Sequence, residues 1–199
     1  MTAAARPTRW QVSSIVPTWV AAFADDPFFR WVFPDARARG AQLDAWFRRI
    51  LRHRPAGSEI WHVAEVAAAA LWHPPLERAA HADPADFVEW FAEVLGEAAL
   101  VGERLAVFGR LVEPRPVEPH WYLPSVGVRP EQQGRGLGEA VLRPVLDRCD
   151  AEGHVAYLES SNRRNVPFYA RLGFESIGEI VLPDDTDAVT LMRRQPRSG

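Results

Sequence analysis

The chain has 199 residues, of which 47% are hydrophobic and 25% charged, as expected for one globular domain spanning residues 1–199. Its formal net charge of −3 gives no sign of the basic surface that nucleic acids or anionic membranes attract. One cysteine, Cys149, cannot form an internal disulfide. The six histidines lack metal-ligand spacing, and the first residues lack the apolar core of a signal peptide. We therefore expect a cytoplasmic protein, monomer or homodimer, with no metal, nucleic-acid or membrane partner.

The N-terminal half predicts short elements around aromatic residues. A strand over 6–12, a short helix over 17–23 capped by Ser14 or Thr18, and an aromatic loop over 25–35 begin the chain. Apolar residues at helical spacing predict an amphipathic helix over 41–54. A hairpin with strands 60–63 and 67–72, ended by Pro74 and Pro75, comes next. Asp83 and Pro84 then predict the start of a helix with an apolar stripe over 87–95, and 105–111 predicts a further helix.

The C-terminal half alternates strands and helices. Strands are predicted over 120–128, 156–160, 174–182 and 188–193. One helix is predicted over 137–149, and another runs from Asn165 to a stop at Gly173, since glycine suits the left-handed position after a helix end. This order predicts an α/β (α+β) sheet with helices on its faces.

The segment QQGRGLGEA, residues 132–140, joins the first of these strands to the first of these helices. Backbone N–H groups of such a glycine-rich turn, together with the helix N-terminus, can bind an anion, and Arg135 adds a positive charge. The dinucleotide pattern GxGxxG fails because residue 139 is glutamate. The nucleotide-triphosphate loop fails because the chain contains no lysine.

Two blocks of sequence resemble the GNAT superfamily of acyl-CoA-dependent N-acyltransferases. They are VGVRPEQQGRGLG at 126–138 and NVPFYARLGF at 165–174. The resemblance implies a mixed, mostly antiparallel central sheet flanked by helices, with two strands splayed at the CoA site, and acetyl-CoA as acyl donor. The residues that it implies for binding the donor are Val126, Gly127, Val128, Gln133, Gly134, Arg135, Gly136, Leu137, Gly138, Asn165 and Phe168.

The same resemblance implies one catalytic residue, Tyr169, and Glu159 is a second candidate because its predicted strand faces the cleft. Tyr169 would act as general acid and protonate the sulfur that leaves. Glu159 would take the proton of the amine, directly or through water. The alternatives are that Tyr169 is a packing aromatic and that Glu159 pairs with an arginine or faces solvent.

The acceptor side is inferred from chemistry more than from motif. Phe29, Trp31 and Trp72, with Phe28, suit a flat amine, and Asp25 or Asp26 suits its cation. The alternatives to these binding roles are structural. The tryptophans would fill the core, and Asp25 and Asp26 would form a helix cap and a solvated loop.

Further segments resemble the puromycin N-acetyltransferases within the superfamily. They are AAFADDP, EPHWYLPSVGV and LESSNRRNVPFYARLGF. The predicted function is therefore acetyl transfer to the primary amine of a small molecule such as a puromycin-like aminonucleoside antibiotic, which would confer resistance. Two alternatives stay open: a biosynthetic or tailoring acyltransferase acting on a peptide or metabolite amine, and a CoA-binding module without turnover.

Overall fold

A computed structural model describes residues 3–76, 86–183 and 187–197. In these ranges the chain forms seven α-helices and six strands. In chain order they are α1 Arg9–Phe23, α2 Pro27–Val32, α3 Arg39–His53, β1 Glu59–Val63, β2 Ala68–Leu76, α4 Phe87–Leu95, α5 Ala98–Val112, β3 His120–Val128, α6 Leu137–Glu152, β4 Val155–Ser160, α7 Val166–Arg171, β5 Glu175–Val181 and β6 Ala188–Arg194. Among the described helices, none is both long and apolar enough to cross a bilayer.

The six strands form one sheet in the order β1-β2-β3-β4-β6-β5. Every neighbouring pair is antiparallel except β3 and β4, which are parallel. The β3–β4 ladder covers only three residue pairs and ends at Tyr122 and Tyr157, although β3 runs on to Val128 and β4 to Ser160. The predicted mixed, mostly antiparallel sheet with two splayed strands is confirmed.

Both faces of the sheet are covered by helices. The helices α1 to α5 pack on one face, and α6 and α7 pack on the other. Along β2, Ala69 and Leu71 belong to the first core while Ala68, Ala70 and Trp72 belong to the second. This alternation follows from the period of two in a strand, and it explains why β2 is apolar at consecutive positions.

Two predictions for the first 35 residues are wrong, the strand over 6–12 and the loop over 25–35, and the predicted helix over 17–23 starts too late. Residues 9–12 are helical, because Thr8 and Gln11 form a capping box that starts α1, and the predicted helix over 17–23 is only the second half of this helix. Neither Ser14 nor Thr18 is therefore a cap. The predicted loop over 25–35 contains α2, which is capped by Asp26.

The prolines of β2 do not end the strand. Pairing with β3 continues to Leu76, with a register shift between His73 and Leu76 where Pro74 and Pro75 lie. A second shift lies opposite Pro124 of β3, between Leu71 and His73. Proline lacks the N–H that a ladder needs, so irregular pairing is expected at these positions. The predicted helix start at Asp83 and Pro84 lies outside the described residues, and α4 begins at Phe87.

Helix α1 lies directly against β3 at Gly127. A Cβ atom built at Gly127 would be 2.9 Å from both the Cβ of Ala22 and the Cδ1 of Trp19. Trp19 is itself held in place, because its indole N–H donates to the carbonyl of Ala69 at 2.9 Å. Only glycine allows this approach, which seats the helix beside the end of β3.

We expect Gly127→Ala to lower the free energy of unfolding by about 1–3 kcal/mol, because the added methyl group overpacks a rigid contact. Urea unfolding followed by tryptophan fluorescence measures the change. The matched control is Gly109→Ala in α5, where an added Cβ meets nothing within 4 Å. The control should be neutral or stabilising by up to about 1 kcal/mol. Equal effects of the two variants would contradict the close-packing account.

Candidate active site

A cavity of about 340 Å³ lies where β3 and β4 diverge. One part of its wall is aromatic and comes from the helices that cover this face of the sheet. These side chains are Phe23, Phe28, Phe29, Trp46, Phe47, Phe87, Trp90 and Phe108. The other part is more polar and comes from β3, β4 and the residues after β4. It includes Ser125, Val126, Glu159, Ser160, Ser161, Asn165 and Tyr169.

Tyr169 of α7 lines this cavity with 7% of its surface exposed. Its ring packs between those of Phe168 and Phe174. Burial raises the pKa of its hydroxyl above the usual value near 10, and the negative charge of Asp26 raises it further. The phenol therefore keeps its proton at neutral pH, which suits a proton donor and not a base.

The glycine segment has the geometry of an anion site. Gly134 and Gly136 have φ angles of +74° and +76°, and α6 begins immediately after them at Leu137. A Cβ at Gly138 would be 3.3 Å from the ring of Phe168 and 3.5 Å from a methyl of Val128. The start of a 16-residue helix leaves N–H groups without intrahelical partners. These residues fit a ligand that brings phosphate close to the backbone.

The other residues predicted for the donor lie around this segment. The side chain of Gln133 donates to the carbonyl of Val128 at 3.2 Å, and Arg135 is exposed. Asn165 and Val126 lie in the cavity wall. The structure gives Gly127 a packing contact with α1 and no place in that wall.

Glu159 takes part in a buried polar cluster at the root of the splay. Arg115 donates from Nε to one carboxylate oxygen at 2.8 Å, and Tyr122 donates its hydroxyl to the other at 2.7 Å. Arg115 also donates to the Tyr122 hydroxyl at 2.9 Å and lies over its ring. Burial opposes the charge of Arg115, but Glu159 more than compensates and raises the Arg115 pKa. Glu159 thus pairs with an arginine, which is one of the alternatives given above. Its role as the base stays a prediction.

Of the residues predicted for the acceptor, Phe28 and Phe29 line the cavity, whereas Asp25, Trp31 and Trp72 do not. Asp25 is exposed. Trp31 is buried under the guanidinium of Arg104, 4.1 Å from the ring centre. Trp72 is fully buried on the opposite face of the sheet, in the core that α6 covers.

Asp26, next to Asp25, is buried with 7% of its surface exposed. Its Oδ2 accepts a hydrogen bond from Ser161 at 2.7 Å, and its Oδ1 accepts one from the backbone N–H of Phe29 at 3.2 Å. Burial raises the pKa of this carboxyl to about 6, while the two hydrogen bonds act in the opposite direction. The following Pro27 marks Asp26 as a helix cap in the sequence, but no local pattern announces that it is buried.

A sequence profile described as the acetyltransferase (GNAT) family matches residues 59–174 of the chain. The chain belongs to this family. The match contains the glycine segment, Glu159 and Tyr169.

Individual relatives that match parts of the chain are also named as acetyltransferases. An uncharacterized N-acetyltransferase of Schizosaccharomyces pombe is 40% identical over 80 residues, which are 39% of this chain and 32% of the relative. An L-methionine sulfoximine/L-methionine sulfone acetyltransferase of Pseudomonas aeruginosa is 41% identical over 59 residues, 28% of this chain and 34% of the relative. The matched part of the chain thus spans about a third of the length of these curated relatives.

Several solved structures are similar over nearly the whole chain. One of them is a "histone acetyltransferase HPA2 and related acetyltransferase" of Corynebacterium glutamicum, with a TM-score of 0.74 and 26% identity. The similarity covers 100% of this chain and 98% of that one.

In the parts of the chain that the structure describes, no group of His, Cys, Asp or Glu is arranged to hold a metal ion.

The buried state of Asp26 predicts a specific pH dependence of stability. A carboxyl with a folded pKa of about 6 and an ordinary value of 3.8 stabilises the fold fully below 3.8, and this contribution is lost as pH rises through 6. The wild-type free energy of unfolding should therefore fall by about 2–3 kcal/mol relative to Asp26→Asn between pH 4 and 7. Denaturant unfolding at several pH values measures this difference. A pH-independent difference would contradict it.

We expect Glu159→Gln to cost about 3–5 kcal/mol of stability, because it leaves the buried charge of Arg115 without a charged partner. Asp44→Asn is the matched control, since it breaks the exposed ion pair of Asp44 with Arg48 on α3. That change should stay within about 1 kcal/mol. Denaturant unfolding measures the free energy of unfolding of both variants. Equally small losses of stability would show that the Arg115–Glu159–Tyr122 cluster does not stabilise the sheet where β3 and β4 diverge.

Proposed function

We propose that the protein transfers the acetyl group of acetyl-CoA to the primary amine of a small molecule. The observation that carries this proposal is that Tyr169, Asn165 and the edge of β3 line one cavity, while Gly138 of the glycine segment packs close to Phe168, the neighbour of Tyr169. Membership of the GNAT family supports the same reaction. The single cysteine is buried and free, which suits the cytoplasm as the place of action.

On the donor side, the proposal assigns the pyrophosphate to the backbone N–H groups of 134–138, with Gln133 and Arg135 at its edge. The glycine conformations and the start of α6 support this assignment. The pantetheine arm is assigned to the edge of β3 at 126–128, near Asn165 and Phe168. When bound, acetyl-CoA supplies an activated acyl group and a thiol leaving group.

The chemistry proposed for the chain needs one proton donor and one polarising group. Tyr169 donates its proton to the departing sulfur, since its phenol lines the cavity and is protonated at neutral pH. A backbone N–H of β3, freed where the β3–β4 ladder ends, polarises the acyl carbonyl. Glu159 remains a candidate proton acceptor in the cavity wall, although both of its oxygens already accept hydrogen bonds.

The aromatic wall supports a flat aromatic amine as acceptor. The narrower proposal is a puromycin-like aminonucleoside, with antibiotic resistance as the biological role. Three sequence segments that resemble puromycin N-acetyltransferases support it. The alternative is a metabolite or peptide amine, and the Pseudomonas relative named for L-methionine sulfoximine supports that alternative.

A thiol-release assay with acetyl-CoA and a panel of amines tests this function. The panel contains puromycin, simple arylalkylamines, L-methionine sulfoximine and a short peptide. We expect release with aromatic amines, puromycin included. Release with other amines but not puromycin would remove the narrower proposal. Binding of CoA without release for any amine would leave only a CoA-binding module.

We expect Tyr169→Phe to lower kcat by about 100-fold or more while leaving the affinity for acetyl-CoA unchanged, because the ring packing stays and only the acidic proton is lost. Tyr157→Phe is the control, since it removes a buried hydroxyl from a residue outside the cavity wall. Steady-state kinetics and calorimetric CoA binding measure both. An unchanged kcat in Tyr169→Phe would disprove the assignment.

A further inference from the structure

We infer that Asp26 accepts the proton of the acceptor amine through the hydroxyl of Ser161. This inference rests on the proposed transferase function and adds to it the route by which the amine loses its proton. Asp26 is a positioning residue in this scheme, since Ser161 is the group in the cavity wall and Asp26 acts through it.

The geometry connects the carboxylate to the cavity. Ser161 directly follows β4, lines the cavity and donates its hydroxyl to Asp26 Oδ2 at 2.7 Å. The other oxygen of Asp26 accepts from the backbone N–H of Phe29, which fixes the carboxylate at the start of α2. The hydroxyl is therefore oriented with its proton toward Asp26, and its oxygen is left to accept a hydrogen bond from a ligand.

The proposed proton donor and the proposed proton acceptor meet in the same cavity. Tyr169 and Ser161 both line its wall, and the charge of Asp26 acts on Tyr169. The negative charge of ionised Asp26 favours the protonated form of Tyr169. Ionised Asp26 can accept a proton, and protonated Tyr169 can donate one, so each group is in the form that the reaction needs. Two groups with separated pKa values and opposite protonation at neutral pH are what an acid–base pair requires.

The groups that face Asp26 come from several elements. They are Ser161 after β4, the backbone of Phe28 and Phe29 in α2, Tyr169 in α7 and Asp187 before β6. Burial is the largest influence and raises the pKa of Asp26 to about 6, Asp187 raises it too, and the hydrogen bonds lower it. The carboxylate is thus ionised at neutral pH yet more basic than an ordinary aspartate, which suits a proton acceptor.

The proton transfers balance. As the amine nitrogen forms its bond to the acyl carbon, its N–H bond breaks and the proton passes to the Ser161 oxygen. Ser161 gives its own proton to Asp26 Oδ2, so the serine ends neutral and the aspartate protonated. Tyr169 gives its proton to the sulfur as the C–S bond breaks. Asp26 then loses its proton to solvent, and Tyr169 regains one.

Glu159 is the competing acceptor in the same cavity. Its carboxylate already pairs with the buried guanidinium of Arg115 and accepts the hydroxyl of Tyr122. Asp26 instead accepts hydrogen bonds from a hydroxyl and from the backbone, so its protonation breaks no ion pair with these groups.

The test is the pH profile of kcat, measured by thiol release with acetyl-CoA and an active amine from the panel. The wild type should show an acidic limb with an apparent pKa near 6. Asp26→Asn should lose this limb and on the order of 100-fold in kcat. Asparagine is a good helix cap, so α2 should be retained. Asp25→Asn, which removes the exposed neighbouring carboxylate, should change neither quantity.

Ser161→Ala provides a second route to the same answer. It leaves the cap bond of Asp26 to Phe29 intact and should lower kcat at least 10-fold. Combining it with Asp26→Asn should produce no further loss, because both changes break one path. Thermal unfolding and CoA binding check that each variant folds, and Ser161→Ala carries the test alone if Asp26→Asn does not.

Three results overturn the inference. The first is an Asp26→Asn variant that keeps the acidic limb and a kcat within 2-fold of Asp25→Asn. The second is loss of the limb in Glu159→Gln only, which would assign the role to Glu159. The third is a wild type that releases no thiol with any amine, in which case the proposed function falls as well. The first two leave the transferase function standing, so the two failures are distinguishable.

Discussion

The structure depends on one constraint, which is that β3 and β4 stop pairing after Tyr122 and Tyr157. Each strand keeps its outer partner, since β3 stays on β2 and β4 stays on β6. The sheet is therefore continuous where residues 120–122 pair with 155–157, and it is divided beyond them, between 123–128 of β3 and 158–160 of β4. We call this divided part the seam. Pro124 contributes to this shape, because it lies where the pairing of β3 with β2 shifts register. The seam gives the cavity its position and leaves backbone groups that an extended ligand can pair with.

The polar groups around the seam fall into two sets with different electrostatics. The cluster of Arg115, Glu159 and Tyr122 is a compensated ion pair that fixes the root of the splay. Asp26 is a buried carboxylate that accepts hydrogen bonds from the Ser161 hydroxyl and the Phe29 N–H, and its charge acts on Tyr169. The first set suits a structural role, because removing either partner of the ion pair would leave the other charge buried and uncompensated. The second suits proton transfer, because its protonation changes near neutral pH.

Much of the C-terminal half could be predicted from the sequence because its signals are local. The strand His120–Val128 is marked by its aromatic and aliphatic residues, and the glycines before α6 mark backbone conformations that only glycine adopts readily. The elements of the N-terminal half are harder to predict from the sequence. Pro17 inside α1 resembles a helix start, and α2 is too short to show a period. Asp25 and Asp26 differ only in how α2 docks against the residues after β4, and no local pattern encodes that contact.

Hydrogen exchange of the β3 amides, measured with and without CoA, tests most directly whether the seam is the ligand site. Amides within 123–128 that face β4 should gain protection from exchange when CoA binds, while the amides of 120–122, which already pair with β4, should change little. Protection should also rise across 134–138. Saturating CoA binding with unchanged exchange over 123–128 would contradict the claim.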